Sequence, residues 1–163
     1  LYGYYDNFTL GRSHALASII QKIHSAKKNN ISDISIWGDG LARREFLFAS
    51  DLADFILNAI LKFNDLPYLM NVGLGKDFSI NEYYQIVADI FHWKGNFIHD
   101  LSKPTGIKQK LVSIKLQEEF GWFPQNNVIE GITKTCNFYS NLLRDKKYFL
   151  IILIFIFYII IRF

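Results

Sequence analysis

The chain has 163 residues, half of them hydrophobic, enough for one ordinary domain with its own core. Its net charge is only +3 with neutral histidines, and the 18 lysines and arginines form no block, so the sequence shows no electrostatic footprint for nucleic acid and none is expected as a partner, while small anionic ligands stay open. The single cysteine, Cys136, rules out an internal disulfide and any CxxC metal or redox pair; a packed thiol is expected.

Leu1 stands where a Met would open a complete protein, and residues 2–8 read as the middle of a folded loop, so an upstream portion of the parent protein is expected. Ser13 is the expected N-cap of a first helix reaching Lys28, with Leu16, Ile19, Ile20 and Ile23 on one apolar face and Asn29-Asn30 at its end. Residues 31–37 alternate Ile34 and Ile36 with Asp33 and Ser35 and predict a half-buried strand, and Gly38-Asp39-Gly40 supplies the turn after it. A second strand is predicted over residues 43–49. Ser50-Asp51 then predicts the cap of an amphipathic helix carrying Leu52, Phe55, Ile56, Ala59, Ile60 and Phe63.

Residues 68–72 predict a short strand stopped by Gly73-Leu74-Gly75, a glycine pair that reads as a turn more than as a phosphate cradle. Ser79-Ile80-Asn81-Glu82 has the form of a capping box, with a helix running from it through Phe91. Phe97-Ile98 suggests another strand, Lys103-Pro104-Thr105-Gly106 a turn, residues 113–120 a short helix and residues 127–143 a final one. The alternation of helix and short strand, with no internal repeat, predicts an α/β fold in which helices pack around a small sheet.

Residues 148–161 are an unbroken run of Leu, Ile, Phe and Tyr, preceded by Lys146-Lys147 and followed by Arg162. Three readings of this tail stand side by side. A membrane span needs about twenty apolar residues and is disfavoured by length, while an interfacial anchor stays open. A buried element is the second reading, and a run that is not selected structure at all is the third. The expected division is therefore a body over residues 1–145 and an apolar tail over residues 146–163.

Ten short segments occur in one order: Leu1-Tyr2-Gly3, Asp6-Asn7-Phe8, Ser13-His14, Trp37-Gly38, Arg44-Glu45-Phe46, Asp51-Leu52-Ala53, Asn71-Val72-Gly73, Ser102-Lys103-Pro104, Lys110-Leu111 and Gly121-Trp122. Together they resemble the GDP-L-fucose-synthase family of the extended short-chain dehydrogenases/reductases, the NAD-dependent epimerase/dehydratase group, over residues 1 to about 143. The resemblance implies the C-terminal part of a Rossmann-type enzyme, the part that grips a GDP-sugar, with most of the N-terminal dinucleotide-binding domain absent. No Gly-x-x-Gly-x-x-Gly follows a strand, and no Tyr-x-x-x-Lys pair stands in the setting such enzymes require, so the chain alone is expected to be inactive.

By resemblance the complete enzyme epimerises GDP-4-keto-6-deoxymannose and reduces it to GDP-L-fucose with NADPH, and His14 matches its catalytic acid. An imidazole suits that task because it titrates near neutrality. Read alone, His14 would be a helix-start histidine bonded to backbone. Leu1 and His14 match cofactor-contacting positions for NADP(H), which the missing half would mostly hold. Lys22, Trp37 and Arg44 match substrate-binding positions: a cation for a diphosphate oxygen, a broad aromatic face, and a planar fork that can grip phosphate with two bonds. His14, Trp37 and Arg44 are expected to converge on one pocket, whereas Arg43 reads as a solvated surface charge. His24, His92 and His99 show no metal-ligand spacing, and no metal is expected.

Two departures from the family pattern bear on substrate. Thr105 and Lys108-Gln109 replace an acidic residue and a Pro-Arg pair, and Tyr4-Tyr5 replace a Pro-His pair. A sister-branch reductase for another 4-keto GDP-sugar, of deoxyheptose or colitose type, is therefore an alternative, as is a non-catalytic nucleotide-sugar-binding module. Family members commonly pair as homodimers, and a cytoplasmic setting is expected.

Overall fold

Leu16, Ile19, Ile20 and Ile23 recur at helical spacing, and in the computed structural model all four are buried on one face of helix α1 (Ala15–Lys28). The structure describes the backbone of residues 1–9 and 11–161 and the side chains of the same residues as far as Asp145. Strand β1 (Asp33–Trp37) follows, then β2 (Arg43–Arg44), α2 (Ala49–Leu61) and a 3-10 turn at Phe63–Asp65. Next come β3 (Phe78–Ser79), α3 (Ile80–Phe91), β4 (Asn96–Asp100), β5 (Gln109–Lys110), α4 (Lys115–Glu119) and α5 (Val128–Ile161).

Two small sheets result. In the first, β1 runs parallel to β4, with Asp33 opposite Asn96 and Trp37 opposite Asp100. In the second, β2 lies between β3, antiparallel to it, and β5, parallel to it. A separate parallel bridge joins Tyr2 to Phe48, closed by Tyr2 N–H to the Leu47 carbonyl at 3.2 Å and Ala49 N–H to the Tyr2 carbonyl at 2.8 Å.

The core forms where α3 packs against α1 on one side and α5 on the other. Ile20, Ile23, Tyr83, Val87, Ile132 and Cys136 meet there with no exposed surface. Burial pushes the Cys136 thiol up to about 12, which makes it the packed thiol that its neighbours in sequence suggested. His24 sits edge-on to Phe91 and Tyr139 at 5.4 and 5.2 Å; burial, then Lys28 and Lys27, lowers its pKa.

The capping box at α3 is present in full: Glu82 N–H donates to Ser79 Oγ at 3.1 Å, and Ser79 N–H donates to Glu82 Oε2 at 2.6 Å. Two other expected caps are not. His14, one residue after Ser13, is the residue before α1, and Phe48 is the residue before α2, so Ser50 and Asp51 lie inside the first turn. Asp51 is buried there, where Oδ1 accepts from Asn126 Nδ2 at 2.7 Å and from Gln125 N–H at 3.2 Å. It ties α2 to the segment ahead of α5 and does not cap.

Strand predictions meet two corrections. Residues 45–48 lie outside β2, which ends at Arg44: Glu45 N–H still donates to the Lys110 carbonyl at 3.2 Å, and its carboxylate turns to the backbone partners described below. Residues 68–72 form no strand: Tyr68 and Leu69 are almost fully exposed, and the loop is fixed instead by Gln117. That fully buried amide accepts from Gly73 N–H at 2.8 Å and donates to the Gly73 carbonyl at 3.1 Å. The expectations for the apolar tail concern residues 146–163, whose side chains lie outside the described residues. Among the described residues no helix is long and apolar enough to cross a membrane.

Two outcomes follow for stability. Gln117→Ala strands the Gly73 N–H and carbonyl and is expected to cost about 2–4 kcal/mol, read as a fall in the urea midpoint. For His24, the lowered folded pKa means that the unfolded chain takes up the proton first as pH falls. Its contribution is therefore complete above the unfolded value near 6.5 and declines below it. Thermal melts should show Tm dropping between pH 7.5 and pH 5.5, by roughly a few degrees, and His24→Phe should flatten that drop.

Candidate functional site

Strand β2 is only two residues long, yet its alternation sorts charge onto two faces. Arg43 turns to the face that holds acids. Its Nε donates to Asp77 Oδ1 at 2.9 Å, its Nη2 to the Asp77 carbonyl at 2.8 Å, and its Nη1 lies 3.4 Å from Glu82 Oε2. On β5, Gln109 reaches the same Asp77 from its register position beside Arg43. Hydrogen bonds from Gln109 and then from Arg43 hold the Asp77 carboxyl below the usual carboxylate range. Arg43 is thus an ion-paired structural residue, which corrects its reading as a solvated charge.

Arg44 points the other way. Its Nη1 donates to the carbonyls of Arg43 and Ile107, each at 2.7 Å, and among the described residues it makes no ion pair. Directly across the parallel ladder stands Lys110, and paired positions on neighbouring strands project to the same face. Both side chains line a cleft of about 850 Å³, together with Leu1, Tyr5, Asp6 and His14. Glu45 also borders the cleft but is already committed: Oε1 accepts from Gly75 N–H at 2.7 Å and Oε2 from Val112 N–H at 3.0 Å. Among the described residues neither Arg44 nor Lys110 makes an ion pair, although the carboxylates of Asp6 and Glu45 line the same cleft.

His14 precedes α1, is exposed, and makes no side-chain capping bond, so its imidazole is free toward the cleft. Leu1 lies in the same wall. Trp37 and Lys22 lie outside this cleft, which corrects the expectation that His14, Trp37 and Arg44 converge on one pocket: only His14 and Arg44 share it. The Trp37 ring, two-thirds exposed, closes β1 with the Lys103 ammonium 5.9 Å from its centroid. Lys22 lines a smaller hollow with Ser35 and Asp33, its Nζ 3.3 Å from Tyr84 Oη and 3.5 Å from the Ser35 carbonyl; burial lowers its pKa.

The loop 103–107 joins Trp37 to Arg44. Lys103 lies over the indole, Ile107 receives the Arg44 bond, and Thr105 packs so tightly on Gly38 that a Cβ there would sit 2.9 Å from its methyl. Gly38 also holds φ +69°, so this contact and the turn both require glycine. The indole and the guanidinium thus border one stretch of surface although they do not share a cavity.

Sequence reasoning named Lys110 only within a dipeptide, because its partnership with Arg44 is a matter of register between strands 66 residues apart in the chain. The Gly73-Leu74-Gly75 loop is a turn, as its composition suggested. Both glycine N–H groups already donate to side chains, Gln117 and Glu45, and are unavailable to a phosphate. No group of His, Cys, Asp and Glu able to hold a metal occurs among the described residues.

The sequence profile of the NAD dependent epimerase/dehydratase family matches residues 1–73, and the chain belongs to that family. Within it the chain is GDP-L-fucose-synthase-like. It is 47% identical over 141 residues to a GDP-L-colitose synthase of Yersinia pseudotuberculosis, covering 86% of this chain and 46% of that protein. A GDP-L-fucose synthase of Azorhizobium caulinodans is 46% identical over 139 residues, covering 85% of this chain and 45% of the relative. Among solved structures, a GDP-D-glycero-L-gluco-heptose synthase from Campylobacter jejuni, crystallised in the presence of NADPH, superposes with a TM-score of 0.74 at 25% identity, over 86% of this chain and 50% of that one. The chain spans about half the length of the relatives it matches.

If the two arginines divide their roles as described, Arg43→Ala should lower Tm and Arg44→Ala should leave it nearly unchanged, because only the first removes an ion-paired hub. The Arg43→Ala loss should shrink in high salt, which differential scanning calorimetry at two ionic strengths would read.

Proposed function

We propose that this chain is the nucleotide-sugar-gripping portion of an NADP-dependent epimerase/reductase that acts on a 4-keto-6-deoxy GDP-sugar. The observation that carries the reading is the cleft where Arg44 and Lys110 stand side by side without acid partners, with an unbonded His14 in the same wall. A diphosphate is the ligand chemistry that such a pair suits: the planar fork of Arg44 can bond two oxygens, and Lys110 adds a point charge. Trp37, at the far side of the 103–107 loop, offers a flat apolar face for a nucleobase, and Lys22, on α1, offers a cation in the hollow beside Ser35 of β1.

His14 then serves as the proton donor. Its imidazolium protonates the enolate carbon beside the ketone during epimerisation, and no backbone bond must break to free it. NADP(H), where bound, supplies the hydride for the ketone. In this reading Leu1 and His14, which both line the cleft, are the residues of this chain that would meet the cofactor. Their small number fits a chain whose glycine N–H pairs are already engaged, with the rest of the cofactor site carried by the portion that the longer relatives possess. Alone, the chain binds and does not turn over. A cytoplasmic setting goes with such a substrate.

A second reading takes the sugar as colitose- or heptose-type, as in the names of one curated relative and one solved structure, beside relatives named fucose synthases. The Tyr4-Tyr5 pair, where the fucose-synthase pattern has Pro-His, is the sequence feature in its favour.

Isothermal titration of the full chain with GDP tests the proposal. Binding is expected, weakening with salt. Arg44→Ala should weaken it roughly tenfold or more, the loss of a charge-assisted bond. Absence of binding by the unmodified chain would overturn the reading.

A further inference from the structure

Tyr5 lines the cleft and is far more exposed than its neighbour Tyr4. Tyr4 packs against both Phe48 and Phe138, at 5.5 and 5.4 Å. Tyr5 touches Phe138 edge-on at 4.8 Å, yet 87% of it is exposed. It also holds φ +60°, in the left-handed region that disfavours a residue bearing a Cβ. Burial does not compensate for that conformation, since the ring is not buried.

The turn that imposes this conformation is fixed at both ends. Upstream, the Tyr2–Phe48 bridge sets the chain against β2's exit, and Gly3 lies so close to Ala49 and Phe48 that a Cβ would meet them at 3.2 and 3.3 Å. Downstream, Asn7 N–H donates to Asp6 Oδ1 at 2.7 Å, and Thr9 N–H donates to Asn7 Oδ1 at 3.0 Å. Held between these anchors, residues 4–6 carry the Tyr5 ring into the wall that contains His14. Strain maintained by its surroundings at a ligand cleft is a common mark of a functional residue.

Resting on the nucleotide-sugar reading above, we propose that Tyr5 is a specificity-determining residue that stacks on the pyranose of the bound nucleotide sugar. With a diphosphate on Arg44 and Lys110, and the proton donor His14 acting on sugar carbons, the sugar occupies the stretch of cleft that Tyr5 borders. A pyranose presents one face of C–H groups to an aromatic ring, and the phenol hydroxyl can meet a ring hydroxyl as donor or acceptor. Tyr5 thereby reads the sugar and leaves the nucleotide to the cations.

Titrating the full chain with GDP and with GDP-L-fucose separates these contributions. Tyr5→Gly removes the ring and suits the positive φ, so folding should persist; Tyr5→Phe keeps the ring. The expected result is that Tyr5→Gly weakens GDP-L-fucose by roughly five- to tenfold and leaves GDP unchanged, while Tyr5→Phe retains most of the sugar affinity. Equal losses for the two ligands, or no loss for either, would overturn the role of Tyr5 and leave the nucleotide-sugar reading intact. Failure of the unmodified chain to bind GDP would overturn both.

Discussion

The register of β2 against β5 is the constraint on which the site depends. Arg43 opposite Gln109 and Arg44 opposite Lys110 are two consecutive pairs, and the alternation of a strand sends them to opposite faces. On one face Asp77 and Glu82 pair with Arg43; on the other, among the described residues, Arg44 and Lys110 make no ion pair. A slip of one residue would exchange these environments, burying the free cation among acids and exposing the ion-paired one. Strands this short cannot hold register by backbone bonds alone. Glu45 supplies the missing restraint, accepting from Gly75 and Val112 N–H groups just past the ladder and locking the 73–75 loop and the β5 exit to the end of β2.

Gln117 extends the same device into the interior. Its buried amide bonds both backbone groups of Gly73, so the loop that receives Glu45 is itself pinned to α4. Residues 73–75 resemble a glycine-rich phosphate loop in composition and serve the reverse purpose here. Their N–H groups are satisfied internally, by Gln117 and Glu45.

The legible parts of the fold were those whose signal is local. The apolar stripe of α1, the alternation of Ile34 and Ile36 in β1, and the reciprocal box Ser79/Glu82 each encode their outcome within a few residues. What the sequence did not disclose depends on distant partners. Ser50-Asp51 has cap chemistry, but Asp51 is drawn inward by Asn126, 75 positions away, and the helix starts earlier without a side-chain cap. Residues 68–72 have strand-like composition but find no pairing partner, while Phe78–Ser79 and Gln109–Lys110, with no alternation to mark them, become strands because β2 lies between them. The candidate site divides along the same line. His14, Arg44 and Leu1 came from motif resemblance and share the cleft; Lys110 became visible only through register.

The separation of Trp37 from that cleft fits an elongated ligand better than a compact one. The indole and the guanidinium sit on either side of the loop 103–107, which touches both: Lys103 over the ring, Thr105 against Gly38, Ile107 under Arg44. Under the proposed reading, a ligand with a flat apolar end, a doubly charged middle and a neutral polar end would use Trp37 outside the cleft and the Arg44–Lys110 pair, Tyr5 and His14 within it. Those chemistries are the ones of base, diphosphate and sugar. A compact anion would use the Arg44–Lys110 pair alone and leave the aromatic rings of Trp37 and Tyr5 idle, which is why the proposal takes a nucleotide sugar as the ligand.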